Sequence, residues 1–99
     1  MRFFIEFSYK GTNYHGWQVQ LNVNTVQEEL NKALSTILNS SIEVVGAGRT
    51  DAGVHAKQMF AHFDFDMHFE VERVLLQLNS FLSNDIVIHK IFKVKEDAN

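Results

Sequence analysis

Apolar and polar residues alternate over residues 2–9, and this pattern constrains the fold of the chain more than any other feature. Phe3, Ile5, Phe7 and Tyr9 fall on one face of an extended segment. A period of two is typical of a strand with one buried face. The rest of the chain must therefore supply a layer that covers this face.

A helix is the next element that the pattern predicts. Residues 11–24 contain glycines and several asparagines and are predicted to form a loop. Thr25 and Glu28 then have the spacing of a capping box, and Asn39 is a plausible helix end. The apolar residues between them recur at helical spacing: Val26, Leu30, Ala33, Leu34, Ile37 and Leu38.

The remaining elements complete a βαββαβ order. The second strand starts with Ile42 and runs through Val44 into the glycine-containing segment 46–53. A third strand over 57–66, a helix over 70–82 and a fourth strand over 86–94 follow. The apolar positions of that helix are Val71, Val74, Leu75, Leu78, Phe81 and Leu82. This order predicts an α+β, ferredoxin-like fold, an antiparallel sheet with two helices on one face.

One side of such a sheet stays open. The predicted open face carries mostly polar side chains: Glu6, Ser8, Lys10, His62, Asp64 and Asp66. A polar face of this kind is either a binding surface or simply solvated, and both interpretations stand at this point.

Composition sets limits on the function. The 99 residues, 45% of them hydrophobic, suit a single domain. The formal net charge of −3 argues against nucleic-acid binding by this segment alone. There is no Cys to form a disulfide or a thiolate metal site, and no apolar run approaches the ~18 residues of a membrane span. We therefore expect no membrane partner.

The segment 46–56, with three glycines, is the strongest candidate for chemistry. Arg49 and Asp51 are two residues apart and can form an ion pair that keeps the carboxylate ionised and oriented. A carboxylate held in this way can act as a nucleophile or a base. A glycine-rich loop with an Asp is also typical of an ordinary turn, so the pattern alone leaves both interpretations open.

Two longer motifs point to a family. The string Gly48-Arg49-Thr50-Asp51-Ala52-Gly53-Val54-His55-Ala56 resembles the active-site motif of the TruA family of tRNA pseudouridine synthases. Residues 9–20 resemble the first loop of that family, above all in Tyr14-His15-Gly16-Trp17-Gln18. Residues 25–30 and 78–86 resemble its first helix and the end of its second, although Ser83 stands where a Pro is common. The resemblance covers nearly the whole chain.

The resemblance implies an isomerase that converts uridine to pseudouridine at positions 38 to 40 of the tRNA anticodon stem-loop, without a metal or an organic cofactor. Asp51 matches the catalytic Asp, which attacks either the ribose anomeric carbon or carbon 6 of uracil, and Arg49 is its partner. The residues expected to contact the RNA are Tyr14, His15, Trp17, Gln18, Thr50, His55 and Lys10.

Some of these residues also have structural interpretations. A lone histidine such as His55 more often holds a loop by hydrogen bonding than contacts phosphate. Trp17 can anchor its loop against the core or stack on a base. Lys10 can contact a phosphate or remain a solvated charge at a strand end.

The resemblance also implies what lies beyond these residues. Members of the family continue into a second, similar half that supplies a Tyr beside the target base and further basic residues. We therefore expect residues 1–99 to be the N-terminal ferredoxin-like domain of a cytoplasmic, homodimeric enzyme, and to be inactive alone.

Two other classes of protein compete with this interpretation. A metal-dependent hydrolase would use ligand types such as His15, His62 and Asp64, but no metal-binding spacing emerges. A non-catalytic RNA- or protein-binding module would use aromatic residues on the open face, where Phe4 and Phe60 lie among acidic residues that repel phosphate.

Overall fold

A four-stranded antiparallel sheet with two helices forms the structure, a computed structural model that describes residues 1–10, 25–46 and 56–94. The elements in chain order are β1 (Arg2–Tyr9), α1 (Val26–Leu38), β2 (Val45–Gly46), β3 (Ala56–Asp64), α2 (Val71–Phe81) and β4 (Ile86–Val94). The strands lie in the order β2-β3-β1-β4. The predicted ferredoxin-like βαββαβ fold is confirmed.

The alternating segment is a central strand of this sheet. β1 pairs antiparallel with β3 on one side and with β4 on the other, so that Ile5 lies opposite both Ala61 and Ile91. The inward-facing residues of β1, from Phe3 to Tyr9, are all buried. Because β1 contacts both neighbours, its apolar face sets the register of the sheet.

Both helices cover the same face of the sheet, as predicted. Leu30 and Leu34 of α1 and Leu78 of α2 are fully buried in one core with the inward residues of the strands. Each such side chain contributes roughly 1.5–3 kcal/mol through removal of its apolar surface from water. The single core is consistent with one domain.

Helix α1 begins and ends where the sequence predicts. The buried Thr25 accepts a hydrogen bond from the Glu28 N–H through its Oγ1, at 3.3 Å. This is the first bond of the capping box, whereas the Glu28 carboxylate lies 3.8 Å from Lys32 Nζ one turn later. Asn39 ends the helix in the left-handed conformation, with φ at 52°.

The second strand is shorter than predicted. Ile42 and Val44 are buried, but regular pairing with β3 begins only at Val45, which lies opposite His62. The reason is that the backbone groups of Ile42 and Val44 bond to side chains of α1 instead of to a strand. The expected strand over 42–46 is therefore an extended segment attached to a helix, followed by two residues of sheet.

Smaller differences concern the second half of the chain. The third strand spans Ala56–Asp64 rather than 57–66, because the chain bends at Asp66 and Met67. Helix α2 spans Val71–Phe81 rather than 70–82, with Glu70 in extended backbone as its N-cap. Phe81, which we expected to be a core residue of this helix, is 52% exposed, since Val74 and Leu78 form the buried stripe of α2.

The lengths of the helices bear on membrane insertion. α1 has 13 residues and α2 has 11, whereas a helix needs about 20 to cross a bilayer. Within the described ranges, no helix is long and apolar enough to span a membrane.

The backbone of Asn39 provides a test of the helix end. A residue with a Cβ in the left-handed region costs about 1–2 kcal/mol, less for Asn and nothing comparable for Gly. We expect Asn39→Ala to lower the free energy of unfolding by about 1 kcal/mol and Asn39→Gly to leave it equal or higher. Urea denaturation of the three proteins checks this, and equal stabilities for the Ala and Gly variants would contradict the assigned conformation.

Candidate active site

The two motif segments leave the sheet at the same end. Tyr9, the last residue of β1, lies opposite Ala56, the first residue of β3. Residues 11–24 follow β1 directly, and residues 47–55 end where β3 begins. The fold therefore brings the start of one motif segment beside the end of the other, although they are far apart in sequence.

A β-bulge lies at this end of the sheet. Phe7 is opposite Met59, but Tyr9 is opposite Ala56, so β3 has one residue more than β1 between these pairs. Bulges twist a strand and change the direction of its side chains, and they are frequent beside active sites. This bulge immediately follows the segment that contains Asp51.

Lys10 is the one predicted site residue that lies within the described ranges. Its backbone N–H donates to the Asp85 carbonyl at 2.9 Å, which ties the end of β1 to the start of β4. Its side chain is exposed at the end of the sheet from which both motif segments leave. That position suits the predicted phosphate contact, which stays a prediction.

The other predicted site residues lie outside the described ranges. They are Tyr14, His15, Trp17, Gln18, Arg49, Thr50, Asp51 and His55. What the structure gives for them is the set of attachment points at which their segments enter and leave the fold.

The chain that follows residues 11–24 is anchored by buried residues. Thr25 and Val26 are both fully inaccessible to solvent, and Thr25 is the only polar residue among the buried ones in the described ranges. Its hydroxyl is bonded to the Glu28 N–H, so it is buried without loss of hydrogen bonding. The first motif segment therefore runs between two anchored ends, Lys10 and Thr25.

The chain before residues 47–55 is attached to α1 by a polar stripe, which we define as Gln27, Asn31 and Ser35. Gln27 Nε2 donates to the Val44 carbonyl at 2.7 Å, and Asn31 Oδ1 accepts from the Val44 N–H at 2.8 Å. Ser35 Oγ accepts from the Ile42 N–H at 2.9 Å and lies 3.3 Å from the Ile42 carbonyl. Sequence reasoning missed this stripe, although polar residues spaced by four within an apolar helix pattern were a visible signal.

The open face of the sheet carries an aromatic row. Phe4 lies between His62 and Phe92, with ring centroids 5.4 Å and 5.9 Å away, and its ring is within 15° of parallel to that of Phe92. Phe92 is 40% exposed. Phe92 was not among the residues predicted for this face, because the fourth strand does not alternate strictly.

A second bulge explains that irregularity. Glu6 lies opposite Lys90 but Phe7 lies opposite Ile88, so β4 has one extra residue. His89 and Lys90 are consequently both exposed between the buried Ile88 and Ile91. His89 Nε2 lies 2.9 Å from Ser8 Oγ, in a hydrogen bond across the open face.

Arg2 compensates the charge of Asp64 on the same face. The Arg2 Nε donates to Asp64 Oδ1 at 3.0 Å, and its Nη2 lies 3.4 Å from Oδ2. The hydrogen bond and charge of Arg2 lower the pKa of the Asp64 carboxyl below its ordinary 3.8. Asp64 thus repels an approaching phosphate less than we expected from the sequence alone.

Metal-ligand types are present on these strands but do not converge. Among residues 1–10, 25–46 and 56–94, no three His, Asp or Glu side chains form a group that could hold a metal ion. His62 contacts the Phe4 ring instead, and Asp64 contacts Arg2.

Comparison with known proteins is consistent with this geometry. The family model for tRNA pseudouridine synthase matches residues 6–97, a range that includes both motif segments. Relatives named tRNA pseudouridine synthase A include those of Bacteroides thetaiotaomicron, 53% identical over 98 residues, and Bacteroides fragilis, 52% identical over 99 residues. That of Aquifex aeolicus is 42% identical over 97 residues.

The match is complete for this chain and partial for the relatives. These alignments cover 98–99% of the chain but 36–40% of the relatives' lengths. The fold, with the two motif segments attached at one end of its sheet, defines a ferredoxin-like domain. By its match over residues 6–97, the chain belongs to the tRNA pseudouridine synthase family.

The Arg2–Asp64 pair generates a prediction about pH. A carboxyl whose pKa is lowered on folding stabilises the fold above its unfolded pKa, and this contribution is lost as the pH falls through the folded pKa. Because the Asp64 side chain is 62% exposed, we expect Asp64→Asn to cost less than about 1 kcal/mol at pH 7. The difference between the two proteins should disappear below the lowered pKa.

Denaturant unfolding at pH 7 and at a series of lower pH values checks this, because the difference should shrink as the pH falls below the unfolded pKa of about 3.9. A difference that stays constant or grows on acidification would contradict the pairing.

Proposed function

We propose that this chain is part of a tRNA pseudouridine synthase that isomerises uridine in the anticodon stem-loop, at positions 38 to 40. The observation that carries the proposal is the family match over residues 6–97, which spans both motif segments. The pairing of Tyr9 with Ala56 supports it, because one catalytic centre requires these segments to start from neighbouring strands.

Residues 1–99 form the N-terminal half of the catalytic unit in this proposal. The relatives are more than twice as long as the matched region, which supports a second half that completes the site. That half supplies a Tyr that stacks on the target base. It also supplies further basic residues, since the net charge of this chain is −3.

Asp51 is the proposed nucleophile. Its carboxylate attacks either the ribose anomeric carbon or carbon 6 of the uracil, the bond between N1 and the ribose breaks, and the base rotates. A new bond forms between carbon 5 and the ribose, and the bond to Asp51 breaks, which regenerates the carboxylate. The hydrogen on carbon 5 leaves as a proton, and N1 gains one. The reaction is balanced without an oxidant, a metal or an organic cofactor, and Arg49 keeps Asp51 ionised and oriented.

The RNA contacts follow from the same arrangement. The target uridine leaves the base stack at a cost of a few kcal/mol. Tyr14, His15, Trp17 and Gln18 line the RNA side of the cleft by stacking and hydrogen bonding, and Thr50, His55 and Lys10 complete the contacts. Lys10 has the exposed position at the end of the sheet that a phosphate contact needs.

The assembly and location of the protein belong to the same proposal. We infer a cytoplasmic homodimer that acts on tRNA. The family name supports the tRNA substrate.

Loss of the Asp51 carboxylate tests the chemistry. The full-length protein should release tritium from tRNA labelled at carbon 5 of uridine, because the new bond replaces that hydrogen. We expect Asp51→Ala to abolish release, a loss of at least about 10³-fold, since no other carboxylate takes its place. Asp66→Ala is a matched control, because Asp66 is an exposed carboxylate outside the motif segments.

Wild-type turnover by Asp51→Ala would show that Asp51 is not the nucleophile. Loss of turnover in Asp66→Ala as well, in a folded protein, would show that the assay reports general damage rather than chemistry.

A non-catalytic RNA-binding module is the second candidate for the chain taken alone. The row formed by His62, Phe4 and Phe92 favours it, because exposed aromatic rings on an open sheet can stack on bases. Lys90 and His89 lie on the same face, and Arg2 compensates Asp64. This candidate differs from the first in where RNA is held, on the face of the sheet rather than at its end.

Titration of the isolated 1–99 chain with an anticodon stem-loop RNA separates the two candidates. We expect binding no tighter than roughly 10⁻⁶ M at physiological salt, strongly weakened by added salt, and little changed by Phe92→Ala. Nanomolar binding that falls about tenfold or more in Phe92→Ala would favour the open-face module instead.

A further inference from the structure

We propose that Gln27 and Asn31 are positioning residues for Asp51, and that they act by holding both backbone groups of Val44. The inference rests on the proposed function, because it takes Asp51 as the reacting group. It adds a role for helix α1, which contains none of the predicted site residues.

The contacts of Val44 are short and complete. Its carbonyl accepts from Gln27 Nε2 at 2.7 Å, and its N–H donates to Asn31 Oδ1 at 2.8 Å. Its side chain is buried in the core, 1% exposed. Val44 is therefore fixed in position by its two backbone hydrogen bonds. Because its side chain is also packed in the core, the residue cannot rotate about the chain axis.

The sheet alone holds this part of the chain weakly. β2 comprises only Val45 and Gly46, which lie opposite His62 and Ala61 of β3. A strand of two residues makes few ladder bonds, so the direction in which the chain enters residues 47–55 depends on what precedes it. What precedes it is Val44, two residues before Gly46, and α1 sets the position of Val44.

Geometry explains why a helix can do this. Residues four apart lie on one face of a helix, about 6 Å from each other, which is close to the two-residue repeat of an extended chain. Asn31 and Ser35 therefore face the alternate residues Val44 and Ile42, and Gln27 reaches the second backbone group of Val44. The polar stripe takes the place of a neighbouring strand at this edge.

The other helix provides a natural comparison. Asn79 of α2 donates from Nδ2 to the Ile88 carbonyl and accepts from the Ile88 N–H, both at 2.9 Å. Ile88 lies in the middle of β4 and is buried. Asn79 therefore makes the same pair of bonds as Gln27 and Asn31 together, but to a strand that does not lead into residues 47–55.

The effect on catalysis follows from the sensitivity of covalent chemistry to position. A shift of about 1 Å in a reacting group can cost about 10²-fold in rate. Release of Val44 changes the position from which the chain enters the segment that contains Asp51. It removes none of the proposed RNA contacts. The turnover number should fall, while the Michaelis constant for tRNA should change little.

The experiment compares two full-length variants that lose equivalent bonds. Gln27→Ala with Asn31→Ala removes both bonds to Val44, and Asn79→Ala removes both bonds to Ile88. Tritium release gives kcat and KM, and thermal unfolding gives the midpoint of each protein. We expect similar drops in midpoint, a kcat lower by about 10- to 100-fold only in the double variant, and KM within about threefold of wild type in both.

Single substitutions separate positioning from general structural damage, and they serve if the double variant does not fold. Asn31→Asp keeps the Oδ acceptor for the Val44 N–H, so its kcat should stay near wild type. Gln27→Glu places a carboxylate oxygen against the Val44 carbonyl in place of the donor, so its kcat should fall although its size is unchanged.

Two results would overturn the inference while wild type is active and Asp51→Ala is inactive. One is a double variant or a Gln27→Glu variant with wild-type kcat. The other is an Asn79→Ala variant that slows as much as the double variant. An inactive wild type, or an active Asp51→Ala, would instead refute the proposed function on which the inference rests.

Discussion

The fold depends on the burial of one face of β1. Phe3, Ile5, Phe7 and Tyr9 are covered by both helices, and the strand pairs with β3 and β4 on its two edges. A one-residue slip would turn this apolar face to solvent, so the register of the central strand is strongly fixed. The opposition of Tyr9 and Ala56 is a direct consequence, and with it the meeting of the two motif segments at one end of the sheet.

The edges of the folded layer are held by side chains of the helices. Gln27 and Asn31 bond the backbone of Val44, and Asn79 bonds that of Ile88. Each bond contributes about 0.5–1.5 kcal/mol net, and each also occupies backbone groups that would otherwise be available to another strand. The two helices thus cover the sheet with their apolar stripes and close its margins with polar residues, which gives α1 its connection to the proposed site.

The parts of the fold that the sequence predicts are those with a clear hydrophobic period. β1, α1, α2 and β4 lie within one residue of their expected limits, and Thr25 and Asn39 mark the ends of α1 as expected.

The predicted extent of β2 was wrong, because Ile42 and Val44 alternate like strand residues while their backbone groups bond to a helix. Phe81 was misplaced because spacing along one helix does not show which side a neighbouring helix covers. His89 and Phe92 were missed because a bulge breaks the alternation of β4. Most of the predicted site, including Asp51 and Arg49, lies outside the described residues and remains a proposal based on the family.

The most direct test of the account is a chemical map of pseudouridine in tRNA from cells that lack the gene for this protein. We expect pseudouridine at positions 38 to 40 to be absent from these cells. It should return with the wild-type gene and not with the Asp51→Ala variant. Normal pseudouridine at these positions in the deletion, with no other enzyme of the family in the cell, would contradict it.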